Sequence, residues 1–205
     1  MKKIYFSVIA ALSVAFIGTA YAGGHTAEKM LMEVEIPDTA IILSEGYVPT
    51  VFITGANRGI GLEFVKVYLE REYNIIATAR KPEKAEALNA LAADNDNLRV
   101  TQLDVTDFER VDSLALELQN QPIDILINNA GISGDTRSQF LGKMDYDNFR
   151  YVLEVNLLAP TKIAEAFYPN LLASEWKKLV VVSSSEGSIA GVSAPRMMGY
   201  RTSKA

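Results

Sequence analysis

The sequence predicts an α/β fold: a doubly wound parallel sheet with helices on both faces. Three observations carry that prediction. Short apolar runs bounded by turn residues recur at Val51–Ile53, Tyr73–Thr78, Leu98–Leu103, Ile123–Ile127 and Leu179–Val182, the length of strands buried on both faces. Stretches with apolar residues at helical spacing lie between them, and such alternation builds a parallel sheet. The first run also ends in a glycine-rich turn that leads straight into a helix. At 205 residues the chain can bury one sizeable core, and nothing in its composition marks a second.

Residues 1–22 stand apart from this pattern. Lys2 and Lys3, the apolar segment Ile4–Ile17 and Ala20-Tyr21-Ala22 form a secretory signal peptide with its cleavage site. The apolar segment is shorter than a spanning helix, so no stable membrane insertion is expected after cleavage; the other reading of the segment is an uncleaved membrane anchor. The expected location is therefore periplasmic or secreted, and cytoplasmic if the signal is not used. The lysine pair is not a twin arginine, so export in a folded state is not indicated. Residues 23–48 form an N-terminal arm in which Val34 and Ile36 alternate with acids and Ile41-Ile42-Leu43 is a short apolar run, and no function is assigned to them.

Composition excludes several chemistries. A formal charge of −5 disfavours a nucleic-acid partner. The absence of cysteine removes disulfides, thiolate catalysis and Cys-ligated zinc. The one histidine, His25, lies in the arm, which argues against a Ser-His-Asp triad or a His-based metal cluster. No metal site is expected.

The domain proper spans 49–205. Val51–Ile53 runs into Thr54-Gly55-Ala56-Asn57-Arg58-Gly59-Ile60-Gly61, and Leu62–Leu69 follows at helical spacing. Strand, glycine turn and helix set bare backbone N–H groups and a positive helix end against a pyrophosphate, the mark of a Rossmann-type sheet. Gly55 permits the tight turn; Gly59 and Gly61 permit close approach. The second strand ends at Ala79-Arg80-Lys81, where a nucleotide ribose is read. No acid stands at 78–80, so Arg80, with Arg58 from the glycine turn, suits a 2′-phosphate and favours NADP over NAD.

Glu83–Ala93 reads as the next helix and Leu98–Leu103 as the third strand, followed by Asp104 and Val105. Thr106-Asp107-Phe108-Glu109 reads as a capping box, with Glu109 reaching back over the helix start. The helix it opens turns Phe108, Val111, Leu114, Ala115 and Leu118 to one side. The fourth strand enters Asn128-Asn129-Ala130-Gly131, where amides can tie strand ends together. A loop over 133–144 and a helix holding Tyr151, Val152 and Val155 come next. Asn156 and Pro160 suggest an irregularity in that helix. The fifth strand delivers Ser183-Ser184-Ser185-Glu186-Gly187 at its carboxyl end, where ligands sit in open α/β sheets. Tyr200 and Lys204, four apart, share a helix face.

These motifs, in this order over Pro49–Ala205, resemble the short-chain dehydrogenase/reductase family. Thr54–Gly61 is similar to its TGxxxGIG signature, and Asn128–Gly131, Asn156, Ser184 and Tyr200-Arg201-Thr202-Ser203-Lys204 follow in family order. The sixteen-residue gap from Ser184 to Tyr200 resembles the carbonyl-reductase branch that includes the Sniffer and C-factor proteins. The resemblance implies catalytic Asn156, Ser184, Tyr200 and Lys204. It implies cofactor contacts from Gly55, Asn57, Arg58, Gly59, Ile60, Gly61, Arg80, Asp104, Val105, Asn129, Ala130 and Gly131, and again from Tyr200 and Lys204. Asp104 would lie beside the adenine; its other reading is a helix-start acid. Asn156 would shape its helix so that a backbone carbonyl holds a relay water.

The implied activity is hydride transfer between NADPH and a small carbonyl or alcohol substrate. Ser184 would bond the carbonyl oxygen and Tyr200 would protonate it. Lys204 would favour the phenolate and bind the nicotinamide ribose. The rival reading is a non-catalytic dinucleotide-binding module or inactive fragment, because fold alone does not establish chemistry. Such sheets run to six strands, and five are counted before Ala205. The domain is therefore expected to be incomplete at its C-terminal end, with one sheet flank uncovered and a homo-oligomer open to the full-length protein.

Overall fold

A computed structural model describes residues 44, 46–191 and 194–205. The signal peptide expected at 1–22 and most of the arm at 23–48 lie outside the described residues. Five parallel strands form one sheet: β1 Thr50–Ile53, β2 Asn74–Ala79, β3 Leu98–Gln102, β4 Ile125–Asn128 and β5 Lys178–Val181. Their order is β3-β2-β1-β4-β5, so the direction of winding reverses between β1 and β4. In open α/β sheets that reversal opens a crevice at the strands' carboxyl ends.

The helices are α1 Gly59–Leu69, α2 Glu86–Ala93, α3 Phe108–Glu117, α4 Tyr146–Leu153, α5 Ala159–Ala166, α6 Tyr168–Leu172 and α7 Met198–Lys204. Alternate strand residues point to opposite faces, and each face has its own core. Val51, Ile53, Ile75, Ala77, Ile125 and Ile127 pack against Leu62, Val65 and Tyr68 of α1 and Leu88 of α2. Phe52, Ile76 and Leu126 face the other way, against Val111 and Leu114 of α3, Ile163 of α5 and Leu171 of α6. The Phe52 and Phe167 rings meet there with centroids 4.6 Å apart. Leu114 is fully buried, and its truncation to alanine would cost about 2–5 kcal/mol. At the sheet edge β5 leaves Leu179 and Val181 about half exposed.

Two expected helix starts are corrected. The helix expected from Glu83 is a 3₁₀ turn, Pro82–Lys84, followed by α2 from Glu86. Pro82 sets a tight first turn whose bonds run from Lys84 N–H to Lys81 O and from Ala85 N–H to Pro82 O. Ala85 then leaves the helical path, at ψ 57°, and buries its methyl group in the core. The capping box expected at Thr106 is not formed. Asp107 is the cap, its Oδ1 accepting from Arg110 N–H at 2.9 Å. Thr106 is diverted, since its hydroxyl and its N–H both donate to Asp104 Oδ1, at 2.9 and 3.1 Å.

The amino ends of the strands are tied by one buried carboxylate. Asp124 accepts from Thr50 N–H at 2.8 Å, from the Tyr47 hydroxyl and from the N–H groups of Glu175 and Trp176. Desolvation, with Asp124 alongside, pushes the Tyr47 phenol up to about 12.

Candidate active site

The glycine turn joins β1 to α1 across the end of β2, because Ala56 N–H donates to Thr78 O at 2.8 Å. Gly55 takes φ +64°, and a Cβ there would press on Ala130 at 3.0 Å. At Gly61 a Cβ would stand 2.3 Å from Gly55 O and 2.6 Å from Asn129 Nδ2. Gly59 differs: at φ +55° an added Cβ meets nothing within 4 Å. The first turn of α1 carries no acid, and no side chain caps it. Exposed Arg58 and Ile60 stand at this helix start, with half-buried Asn57 just before them. Arg80 is exposed immediately beyond β2. A helix start of this kind, with open space over Gly59 and arginines at two neighbouring strand ends, can take an anionic dinucleotide.

The end of β4 is bound to the end of β1. Asn129 Nδ2 donates to Thr54 O at 2.9 Å and Gly55 O at 3.1 Å. Thr54 Oγ1 accepts in return from the N–H groups of Asn129 and Ala130, each at 3.0 Å. One hydroxyl thus orients both peptides of the turn. Asp104, half-buried after β3, spends its carboxylate on the Thr106 turn, and the adjacent Val105 packs against the core.

Asn156 sits in a π-helical turn, Glu154–Leu158, between α4 and α5, which is the irregularity that Asn156 and Pro160 suggested. Its buried side chain accepts from Ile132 N–H at 2.9 Å. It donates to Ile132 O at 2.8 Å and to Ser203 Oγ at 2.9 Å. The loop after β4 and helix α7 are therefore held by one amide.

Helix α7 carries Tyr200 and Lys204 and closes over the end of β5. Lys204 Nζ donates to Val182 O at 2.9 Å, while Lys204 O accepts from Ser183 Oγ at 2.7 Å. Gly187 fits because a Cβ there would lie 2.0 Å from Lys204 O. Burial pushes the Lys204 ammonium pKa down. A Cβ at Gly131 would meet Asn156 Oδ1 at 3.2 Å and Lys204 Nζ at 3.3 Å, so these three positions converge. Of the three serines, Ser183 is committed to Lys204 O. Among the described residues Ser184 Oγ accepts from Glu186 N–H at 3.2 Å, which leaves its hydrogen for another acceptor.

Four residues carry roles that the sequence did not assign them, three of them inside motifs already quoted. Thr54 and Ser203 organise the turn and α7, and Gln139 is fully buried against α7. Arg201 pairs with Glu186 at 3.0 Å and reaches Ala194 O, holding the segment between Ser184 and Tyr200. The partners of Thr54, Ser203 and Gln139 include residues about fifty or more positions away, so no local spacing announces them.

The site thus gathers at the carboxyl ends of the strands of a doubly wound parallel sheet. The short chain dehydrogenase family matches residues 49–205, and the chain belongs to it, among the short-chain dehydrogenases/reductases. An uncharacterised oxidoreductase of Schizosaccharomyces pombe is 34% identical over 157 residues, covering 75% of this chain and 61% of its own length. The chain thus spans about three fifths of that curated relative. The NADPH-bound carbonyl reductase from chicken fatty liver superposes with a TM-score of 0.69 at 32% identity, covering 77% of this chain and 69% of that one. Carbonyl reductase Sniffer of D. melanogaster gives 0.70 at 28% identity, covering 77% and 70%.

Proposed function

We propose that this protein is an NADPH-dependent carbonyl reductase, or runs the reverse alcohol oxidation, with Tyr200 as the proton donor. The observation that carries the reading is the convergence of Asn156, Gly131 and Lys204 at the carboxyl ends of β4 and β5, with Lys204 bonded to Val182 and Ser183 just ahead of Ser184 in the chain. Likeness to a carbonyl reductase with NADPH bound supports it.

The cofactor fits the residues present. The open ground over Gly59 and the uncapped, acid-free start of α1 would take the pyrophosphate, and Arg58 and Arg80 the 2′-phosphate. Bound NADPH supplies the hydride that reduces the carbonyl carbon. The remaining work belongs to the chain. Ser184 donates its hydroxyl hydrogen to the carbonyl oxygen and polarises it. The Tyr200 hydroxyl gives that oxygen its proton, completing the alcohol. Lys204, one turn on from Tyr200, places positive charge on the same helix face.

The test is made on the full-length protein with a panel of aromatic and aliphatic aldehydes and ketones. Tyr200→Phe keeps the ring and removes the acid, so turnover should fall about 10²–10⁴-fold with NADPH binding little changed. Ser184→Ala should also slow turnover, and Ser185→Ala should not. Carbonyl reduction by Tyr200→Phe at the unmutated rate would reject the mechanism.

A further inference from the structure

Gln139 lies in the loop between β4 and α4 and has no chemistry of its own, yet its side chain is 0% exposed. Nε2 donates to Ser133 O at 2.7 Å and to Asp135 O at 3.3 Å. Oε1 accepts from Tyr200 N–H at 2.9 Å, and the Gln139 backbone carbonyl accepts from Met198 N–H at 3.2 Å. Two N–H groups of the first turn of α7 are thus satisfied by one residue about sixty positions earlier. The helix has no cap from its own sequence. Its N-cap is Met197, at φ +52° and with no side-chain bond. An N-cap side chain ordinarily accepts from the second or third helical N–H, and here a distant amide does so. Gly199 completes the contact, since a Cβ there would press on Gln139 Oε1 at 3.1 Å and Phe149 Cδ2 at 3.2 Å.

The other polar group of the Tyr200 backbone is held too. Tyr200 O accepts from Ser203 Oγ at 2.7 Å, and Ser203 Oγ accepts from Asn156. Helix α7 has seven residues, too few to be stable alone. If its first turn frays, Tyr200 moves with it, whereas Lys204 at the far end stays bonded to Val182.

We infer that Gln139 is a positioning residue for the Tyr200 hydroxyl, acting as the missing cap of α7. The inference rests on the reading of Tyr200 as proton donor. Misplacing a reacting group by about 1 Å can cost about 10²-fold in rate. Gln139→Met keeps the volume and the burial but removes the acceptor, so kcat should fall by that order. The KM for NADPH should change less than about threefold, because the glycine turn lies elsewhere.

The deciding measurement is a double-mutant cycle with Tyr200→Phe on the full-length protein, using the carbonyl of the panel reduced fastest by the unmutated enzyme. If Gln139 works through the Tyr200 hydroxyl, Gln139→Met should cost nothing further once that hydroxyl is gone. An equal loss in both backgrounds shows a merely structural role and overturns the inference. So does unchanged kcat for Gln139→Met where Tyr200→Phe alone is slow. If Tyr200→Phe itself is not slow, the proposed function fails first and this inference falls with it. Should Gln139→Met not fold, Gln139→Glu decides. Protonated, it keeps the acceptor for Tyr200 N–H and the donor toward Ser133 O; ionised, it opposes two carbonyl oxygens. Its kcat should approach the unmutated value at low pH and fall as the carboxyl ionises, and a profile parallel to the unmutated enzyme overturns the inference.

Discussion

Gly61→Ala puts one methyl group into the tightest contact of the glycine turn. The new Cβ would lie 2.3 Å from Gly55 O, 2.6 Å from Asn129 Nδ2 and 3.0 Å from Ala56 Cα. Two of these are backbone atoms, and the third is already holding Thr54 O and Gly55 O. Releasing the Asn129 amide gives up two hydrogen bonds at about 1 kcal/mol each. Releasing that amide leaves the clash with Gly55 O, so α1 must also move off the end of β1, an overpacking cost of about 1–3 kcal/mol. Alanine returns at most about 1 kcal/mol over glycine in a helix. With both costs in play, the loss should be roughly 2–4 kcal/mol. Urea unfolding followed through Trp176, the single tryptophan, should show the midpoint fall with the slope unchanged. Gly59→Ala is the control, because it meets no atom and strains only its own backbone at φ +55°. It should cost about 1 kcal/mol in stability but weaken NADPH binding by more than that loss explains. If Gly61→Ala unfolds within about 0.5 kcal/mol of the unmutated protein and binds NADPH equally well, the packing argument is wrong.

Two further outcomes follow from named groups. A charge-assisted bond from Arg80 to the 2′-phosphate is worth about 1.5–3 kcal/mol, or about ten- to hundredfold in affinity. NADPH should therefore bind more tightly than NADH, and Arg80→Asp should erase the difference; titrating both cofactors against both proteins checks it. The Tyr47 phenol, raised by burial and by Asp124 to about 12, titrates above its unfolded value near 10. Its contribution is fully present below pH 10 and lost as pH rises through 12. The stability gap between the unmutated protein and Tyr47→Phe should shrink across that window. A gap that stays constant would deny the Tyr47–Asp124 bond its role.

Much of the fold is legible because its signals are local. Val51–Ile53 followed by Gly55 needs only neighbouring residues to specify strand and turn, and the other four runs likewise carry their own periodicity. Asn156 is legible as an irregularity because Pro160 stands close by. What escapes the sequence depends on distant partners. Gln139 acquires meaning only when α7 is laid against it, and Asp124 only when Tyr47, Thr50 and Trp176 converge on it. Thr106 shows the opposite failure. A local motif was present, but Asp104, two residues upstream, took the hydroxyl the capping box needed.

The π turn at Glu154–Leu158 lets one continuous rod serve two masters. Before it, Val152 packs close to Gly134; within it, Asn156 reaches across to Ser203; after it, Ile163 joins the core beneath the sheet. A π turn holds one residue more than the regular ladder, and each residue of an α-helix turns the rod by roughly 100°. Deleting any one of these five residues would rotate α5 against α4 by about that angle. Either Ile163 would leave the core or Asn156 would swing away from Ile132 and Ser203. Over residues 154–158 the chain's length is therefore held as firmly as the identity of Asn156.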